Sequence, residues 1–424
     1  MIRNTDISAS ESPGPLAYWP TINALYHQRF RQSGLVIKLF SGRGEIDEKL
    51  LSDVLLILQA RHPSLNCRLA EEGQTYVLNR APVGETVRLE CLSTTNQSAY
   101  DVAEQLMAED IGASLWRIAL LRSPTKPLSW SLIMLCHHAI CDAQSMAEFL
   151  MDLLTQYVAV SLGQPVTSEP LTMQPAPAVL DASGLGAAPN IVGQAVETEW
   201  PIEQPAPLEQ RRGRWLKVPV DPNLLENLLR ACRREQVSVT NLLTAALLRS
   251  KGFERCARVT TAVDFRRRVE PPIGTEHFGC YIGMLESAIP WADDIWDYAR
   301  NCAAFQLRNM DRILLARLSR PLLEKLMTDR ISKGLDNRIF AGGCAVSNLG
   351  VVSAPDSLGP LSIDEIQFTT RQVAGLYSVF LAALSHAGKL RLSLSYAEPL
   401  ISAHAAEKLA TRISEQLTTC CINS

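Results

Sequence analysis

Long hydrophobic runs are missing from this sequence. The longest nearly apolar stretch, Val373 to Leu384, has 12 residues and is broken by Gly375 and Ser378, whereas a membrane-spanning helix needs about 20. The opening Met1-Ile2-Arg3-Asn4-Thr5-Asp6 leads into polar, Pro-bearing residues and lacks the apolar centre of a secretion signal. A surplus of one charge is also missing: Lys+Arg 41 stand against Asp+Glu 44. The basic stripe of a nucleic-acid binder is therefore not expected. The 11 cysteines include no C-x-x-C spacing, and Cys136, Cys141, Cys256 and Cys280 sit among apolar neighbours as small buried hydrophobes do. There is no G-x-S-x-G elbow, no G-x-x-x-x-G-K-[ST] loop and no H-E-x-x-H pair. These absences lead us to expect a cytoplasmic protein with no transmembrane segment, no nucleic-acid partner and no bound metal.

What is present suits a folded, enzyme-sized chain. Its 424 residues are 47% hydrophobic and 20% charged, enough apolar material for two cores of roughly 200 residues each. Apolar spacing predicts helices over Ile46–Gln59, Ala99–Met107 and Ala143–Val158. Short strands are expected at Leu65–Leu69 and Thr75–Leu78, and longer ones at Leu115–Leu121 and Trp130–His137. In the last of these, Leu132, Ile133, Met134 and Leu135 run without a polar break, the pattern of a strand covered on both faces. Eight prolines then fall between 162 and 210 with little periodicity, which marks a linker. Beyond it, Pro222–Arg234 and Thr240–Lys251 read as helices, Arg258–Asp264 as a strand, and Trp291–Met327 as mainly helical. Strands are expected near Cys344–Val346, Ile363–Thr369, Tyr377–Leu384 and Leu390–Ser395, with a final helix over Ala403–Leu417. The expected division is 1–165, a linker over 166–210, and 211–424.

One constellation could carry chemistry. Only seven histidines occur, and two are adjacent in His137-His138-Ala139-Ile140-Cys141-Asp142-Ala143. They lie where a buried strand ends and an amphipathic helix begins, a place where side chains reach open space from a rigid base. Side chains alternate along a strand, so the two rings should face opposite ways. On geometry alone the pair is as readily structural as catalytic. Asp142 reads first as the N-cap of the following helix. Neighbouring strand residues diverge too far for Cys136, His137, His138, Cys141 and Asp142 to share one metal ion.

His-His-x-x-x-Asp resembles the signature of the superfamily of chloramphenicol acetyltransferases, nonribosomal peptide condensation domains and polyketide-associated acyltransferases, with Ala143 where Gly usually follows. Arg61-His62-Pro63-Ser64-Leu65, Phe278-Gly279-Cys280-Tyr281-Ile282-Gly283-Met284-Leu285, Ser347-Asn348-Leu349-Gly350 and Leu394-Ser395-Tyr396 resemble further segments of that superfamily, in its order. The opening motif of peptide condensation domains is absent, Ser12-Pro13-Gly14-Pro15-Leu16-Ala17 standing in its place. The style is therefore closer to stand-alone polyketide-associated acyltransferases.

The resemblance implies an α/β protein of two chloramphenicol-acetyltransferase-like sandwich domains set in a V, with a tunnel between them. It implies no permanently bound cofactor. The donor would be a phosphopantetheine thioester, on acyl-CoA or an acyl carrier protein, and the acceptor a small-molecule alcohol or amine. His138 would be the general base, His137 a buried brace, and Asp142 a structural residue paired with Arg61. Ser347 and Asn348 would neighbour the tunnel. The loss of Gly after Asp142 questions any role for the N–H of residue 143. Ester formation is favoured over amide formation, with a catalytically inactive docking module as the rival from another class, and a monomer is expected. A carrier's acidic face would need a basic patch, for which Arg211-Arg212-Gly213-Arg214 and Arg266-Arg267-Arg268 are the dense candidates.

Overall fold

The computed structural model describes residues 18–82, 85–172, 200–252, 255–268, 272–313 and 320–422. The opening segment around Ser12–Ala17 and the central stretch 173–199 of the expected linker lie outside the described residues. In chain order the first half comprises α1 (Tyr18–Arg29), β1 (Val36–Arg43), α2 (Glu48–Arg61), β2 (Cys67–Glu72), β3 (Thr75–Arg80), β4 (Leu89–Ser93), α3 (Ala99–Ala108), β5 (Trp116–Ser123), β6 (Lys126–Cys136) and α4 (Ala143–Ser161). The second comprises β7 (Arg212–Lys217), α5 (Leu224–Arg234), α6 (Val239–Lys251), β8 (Ala257–Asp264), β9 (Ile282–Ile289), α7 (Ile295–Ile313), α8 (Arg320–Asp336), β10 (Cys344–Val351), β11 (Ser357–Leu358), β12 (Leu361–Thr370), β13 (Val379–His386), β14 (Lys389–Glu398) and α9 (Ala403–Ile422).

These elements build two six-stranded sheets, ordered β11-β12-β1-β6-β5-β4 and β7-β14-β13-β10-β8-β9, beside a two-stranded β2-β3 ribbon. The uninterrupted apolar run of β6 is covered on both faces, as its composition requires. Leu132 and Met134 join the core under α2 and α4, while Ile133 and Leu135 join the core under α3. In the second half, α5, α6, α7 and α9 cover one face of their sheet, burying Val259, Leu381, Ala383, Leu392 and Leu394. From the other face of that sheet, Phe380, Ala382 and Leu384 pack into the core of the first half.

The two halves are also joined by strand exchange. β12 comes from the second half of the sequence but pairs antiparallel with β1, Val36 opposite Thr370 and Lys38 opposite Phe368. Residues 357–370 thus complete the first sheet, and the segment 211–424 is not closed on itself. The approach is tight. A bulge falls at Ser41/Gly42, and a Cβ at Gly42 would stand 1.8 Å from the Ser362 carbonyl oxygen. Glycine is therefore required there.

Local chemistry sets the helix starts. Asp47 Oδ1 accepts the Leu50 N–H at 2.9 Å to begin α2. Ser98 and Asp101 form a reciprocal capping box at α3. α2 runs to Arg61, two residues past its expected end, and stops where Pro63 follows. The expected strand at Leu65–Leu69 begins later: Pro63–Asn66 form one 3-10 turn before β2. Within the expected helical stretch 291–327, residues 314–319 are outside the described set; α7 and α8 flank them. Among the described residues no helix is long and apolar enough to cross a membrane.

Candidate active site

β6 delivers His137 and His138 at its C-terminal end, and their rings diverge as alternation demands. His137 is 1% exposed. Its Nδ1 accepts the Ala139 N–H at 2.9 Å, and its ring meets that of His27 edge-on at 4.4 Å between centroids. Burial, together with the neighbouring His27 and His138, holds its pKa well below the ordinary histidine value. A ring so placed stays neutral and braces the turn.

His138 is half-buried and lines a cavity of about 130 Å³ between the two halves of the sequence. Its Nδ1 lies 2.7 Å from the Cys141 carbonyl oxygen. A carbonyl can only accept, so Nδ1 carries the proton and Nε2 keeps its lone pair. Burial lowers the His138 pKa, opposed by the charge of Asp142 and the Cys141 hydrogen bond. The neutral imidazole, with Nε2 as a base, is the resting form. Cys280 Sγ approaches the same Nδ1 at 3.6 Å, but burial pushes that thiol up. An un-ionised thiol facing an N–H already engaged with a carbonyl is not an activated nucleophile.

Asp142 performs two structural tasks. Its Oδ1 accepts the Ser145 N–H at 2.9 Å, capping α4, and its Oδ2 accepts the Tyr281 N–H at 2.9 Å. Its ion-pair partner is Arg266, not Arg61: Arg266 Nη2 donates to Oδ1 at 2.9 Å, with both residues 2% exposed or less. Burial alone would raise the Asp142 carboxyl. The Arg266 charge and hydrogen bond and the two backbone donors outweigh it, and the pKa falls below the ordinary value. The expected Asp142–Arg61 pair is thus corrected. Arg61 ends α2, its Nη1 donating to the Glu169 carbonyl at 2.9 Å. It ties down the start of the linker and does not reach the motif.

Ser145 completes this junction. It donates to the Gly279 carbonyl at 2.7 Å and accepts from Gly279 N–H at 3.1 Å and Arg266 Nη2 at 2.7 Å. Arg266 also reaches Asp264 Oδ1 at 3.2 Å and lies 4.8 Å over the Tyr281 ring. Residues 142–145 are thereby locked to 264–266 and 279–281 beneath His138. The reading of Arg266-Arg267-Arg268 as an exposed basic run is corrected for Arg266; Arg267 and Arg268 are exposed.

Ala143 and Gln144, the first two residues of α4, line the same cavity as His138. The first N–H groups of a helix have no acceptor within it and carry partial positive charge. Residue 143 has no positive φ, so alanine serves where glycine is usual. Ser347 and Asn348 line the cavity as well. Asn348 is held on both sides of its amide, Nδ2 donating to Thr240 Oγ1 at 3.1 Å and Oδ1 accepting the Gly350 N–H at 3.0 Å. The Ser347 hydroxyl makes no hydrogen bond among the described residues. The remaining walls mix apolar side chains, Val36, Met284, Phe368 and Phe380, with polar ones such as Thr370 and Gln372.

Residues 217–396 match the family described as phthiocerol/phthiodiolone dimycocerosyl transferase C-terminus. No curated protein matches the chain in sequence. Polyketide synthase associated protein 5 from Mycobacterium tuberculosis is similar in structure, 19% identical with a TM-score of 0.68, over 97% of this chain and 98% of its own. A trichothecene 15-O-acetyltransferase from Fusarium sporotrichioides is 12% identical with a TM-score of 0.74, over 96% and 95%. The first condensation domain of the CDA synthetase is 15% identical with a TM-score of 0.68, over 98% and 97%. The chain therefore has the α/β fold of the chloramphenicol-acetyltransferase-like superfamily of acyltransferases and condensation domains, and its second half carries the sequence pattern of the dimycocerosyl transferase C-terminus.

Proposed function

We propose that the protein is an acyltransferase that moves an acyl group from a phosphopantetheine thioester, on CoA or an acyl carrier protein, to a hydroxyl acceptor. The observation that carries this reading is the orientation of His138: Nδ1 is committed to the Cys141 carbonyl, leaving Nε2 as a free base in a cavity lined by both halves. Nε2 takes the acceptor's proton as its oxygen attacks the thioester carbonyl. The N–H groups of Ala143 and Gln144 stabilise the oxyanion of the tetrahedral intermediate. When the C–S bond breaks, the imidazolium returns the proton to the leaving thiolate, giving an ester and a free thiol. No other activation is required, because a thioester arrives already activated. The likeness to a protein named as an O-acetyltransferase, and the lack of the peptide-type opening motif, favour the ester over the amide.

The test is intact-mass measurement of acyl transfer from acyl-CoA and acyl-carrier donors to alcohol and amine panels. His138→Ala should lower turnover at least about a hundredfold, the lower range for a positioned general base, with the unfolding transition unchanged. Near-wild-type turnover in a folded variant would exclude the mechanism. Transfer to amines but never to alcohols would overturn the ester assignment.

A further inference from the structure

A second cavity, of about 550 Å³, lies behind the wall of the first and is lined by five arginines against three carboxylates. The wall is shared at two places. Thr370 and Gln372 face the His138 cavity while Arg371 between them faces the other; Ser33 and Gly34 face the former while Arg31 faces the latter. The Ser33 hydroxyl fastens the two segments, donating to the Arg371 carbonyl and accepting the Val373 and Ala374 N–H groups. Arg31 and Gln32 both have positive φ, +47° and +59°, a conformation that non-glycine residues adopt at a cost and that recurs at functional sites.

The arginines are not equivalent. Arg211 is spent on the carbonyls of Ala206, Val373 and Ala374, Arg214 on Glu104 and Glu398, and Arg31 on the carbonyls of Leu208 and Glu209. This corrects the expectation that 211–214 is a dense docking patch, since only Arg212 is left exposed and unpaired in it. Arg371 is the exception among the buried ones. It is 4% exposed, its Nε has no partner, and none of its guanidinium nitrogens donates to a protein group among the described residues. Burial and the Arg31 charge, opposed by the charge of Asp110 nearby, lower its pKa only to about 10, so it remains a cation. Of the carboxylates, Glu104 is held by Arg214 and the Trp215 N–H, Asp101 caps α3, and Glu209 lies beside Arg211. A buried guanidinium without an acceptor, open to a cavity, is a costly arrangement unless an anion visits it.

We propose that this cavity is a phosphate-binding site, with Arg371 and Arg212 as its free donors, for the phosphate of the phosphopantetheine donor that His138 serves. Guanidinium forks match phosphate oxygens in a bidentate way. The assignment of the occupant rests on the function proposed above; the anion site itself does not.

Calorimetric binding to the full-length protein tests it with four probes: pantetheine, 4′-phosphopantetheine, dephospho-CoA and CoA. Each phosphate-bearing probe should bind at least about tenfold more tightly than pantetheine. Arg371→Met should abolish that gain and Arg212→Ala should reduce it about threefold, pantetheine binding being unchanged in both. CoA binding far above 4′-phosphopantetheine assigns the site to the free coenzyme; equal binding assigns it to the arm of a carrier. Equal affinity for pantetheine and 4′-phosphopantetheine would overturn the proposal, as would a gain that survives Arg371→Met. If Arg371→Met does not fold, Arg212→Ala, on the surface, decides alone. No arm needs turnover, so phosphate binding without acyl transfer would sink the function and spare the site.

Discussion

The Asp142–Arg266 pair makes a quantitative prediction that separates it from the Arg61 alternative. Arg266→Met removes a 2.9 Å charged hydrogen bond to Asp142 and a 2.7 Å bond to the Ser145 hydroxyl. Both charges are withdrawn from water, so breaking the pair should cost about 3–5 kcal/mol. Asp142→Ala should cost more. Besides leaving Arg266 with Asp264 and the Tyr281 ring, it removes the cap of α4, worth about 1 kcal/mol, and orphans the Tyr281 N–H, worth about 1–3 kcal/mol.

Once either partner is gone, removing the other costs no further pair energy, so the double variant should fall short of the sum by at least about 2 kcal/mol. Asp142→Ala combined with Arg61→Ala should add to within about 0.5 kcal/mol, because Arg61 holds the Glu169 carbonyl instead. Urea denaturation followed by tryptophan fluorescence measures all five variants. Additivity of the 142/266 cycle, or coupling in the 142/61 cycle, would refute the assignment. The pH dependence gives a second check. The folded pKa of Asp142 lies below its ordinary value, so its contribution is complete above about pH 4 and is lost as pH falls through the folded value. Asp142→Asn should lack that acid segment.

Two further outcomes follow from buried histidines. Since burial lowers the His138 pKa from 6.5, the acid limb of kcat/KM should have its midpoint below that value; a midpoint above it would contradict the neutral resting base. His62, packed edge-on against Phe149 and Phe278 with neither ring nitrogen bonded, is lowered to about 4 by burial and by the Arg61 and His277 charges. The unfolded chain binds a proton that the folded one refuses, so stability should drop by on the order of 3 kcal/mol between about pH 6.5 and 4. His62→Phe should flatten that segment of the stability curve; an unchanged slope would show that His62 is protonated in place.

Elements with a strong internal pattern were readable in the sequence, and those defined by their neighbours were not. The apolar run at 132–135 announced a strand buried on both faces, and the spacing in 143–158 announced α4. β1, by contrast, carries Lys38 in its middle. That lysine is 0% exposed, with its ammonium 5.1 Å from the centre of the Phe368 ring, and only the arrival of β12 at its edge makes the strand intelligible. β12 itself looked like one more strand of the second half. Nothing local marks it as the strand that crosses over, because strand exchange is decided by which sheet edge is free.

The same distinction explains the site. His137, His138 and Asp142 stand within six residues; the divergence of the two rings and the cap at Asp142 follow from strand alternation and helix capping, whereas the assignment of His138 as base comes from the resemblance. The partner of Asp142 could not be chosen that way, since any of the chain's arginines carries the required charge. Arg61 was favoured because it begins a segment resembling the superfamily. Arg266 stands in a run of three arginines, which reads as a basic surface patch and not as the partner of a buried carboxylate. A local signal was nevertheless present: Phe265 precedes Arg266 directly at the end of β8 and is buried with it, so the first arginine of the run is turned inward while Arg267 and Arg268 remain outside. The segment Phe278–Leu285, which looked like a separate motif, supplies the Tyr281 N–H to Asp142 and the Gly279 groups to Ser145. Motifs 121 and more residues apart are therefore two sides of one buried polar junction, and a polar junction removed from water must be satisfied as a unit. Substituting one side alone should then fail even where both residue types are common at their positions.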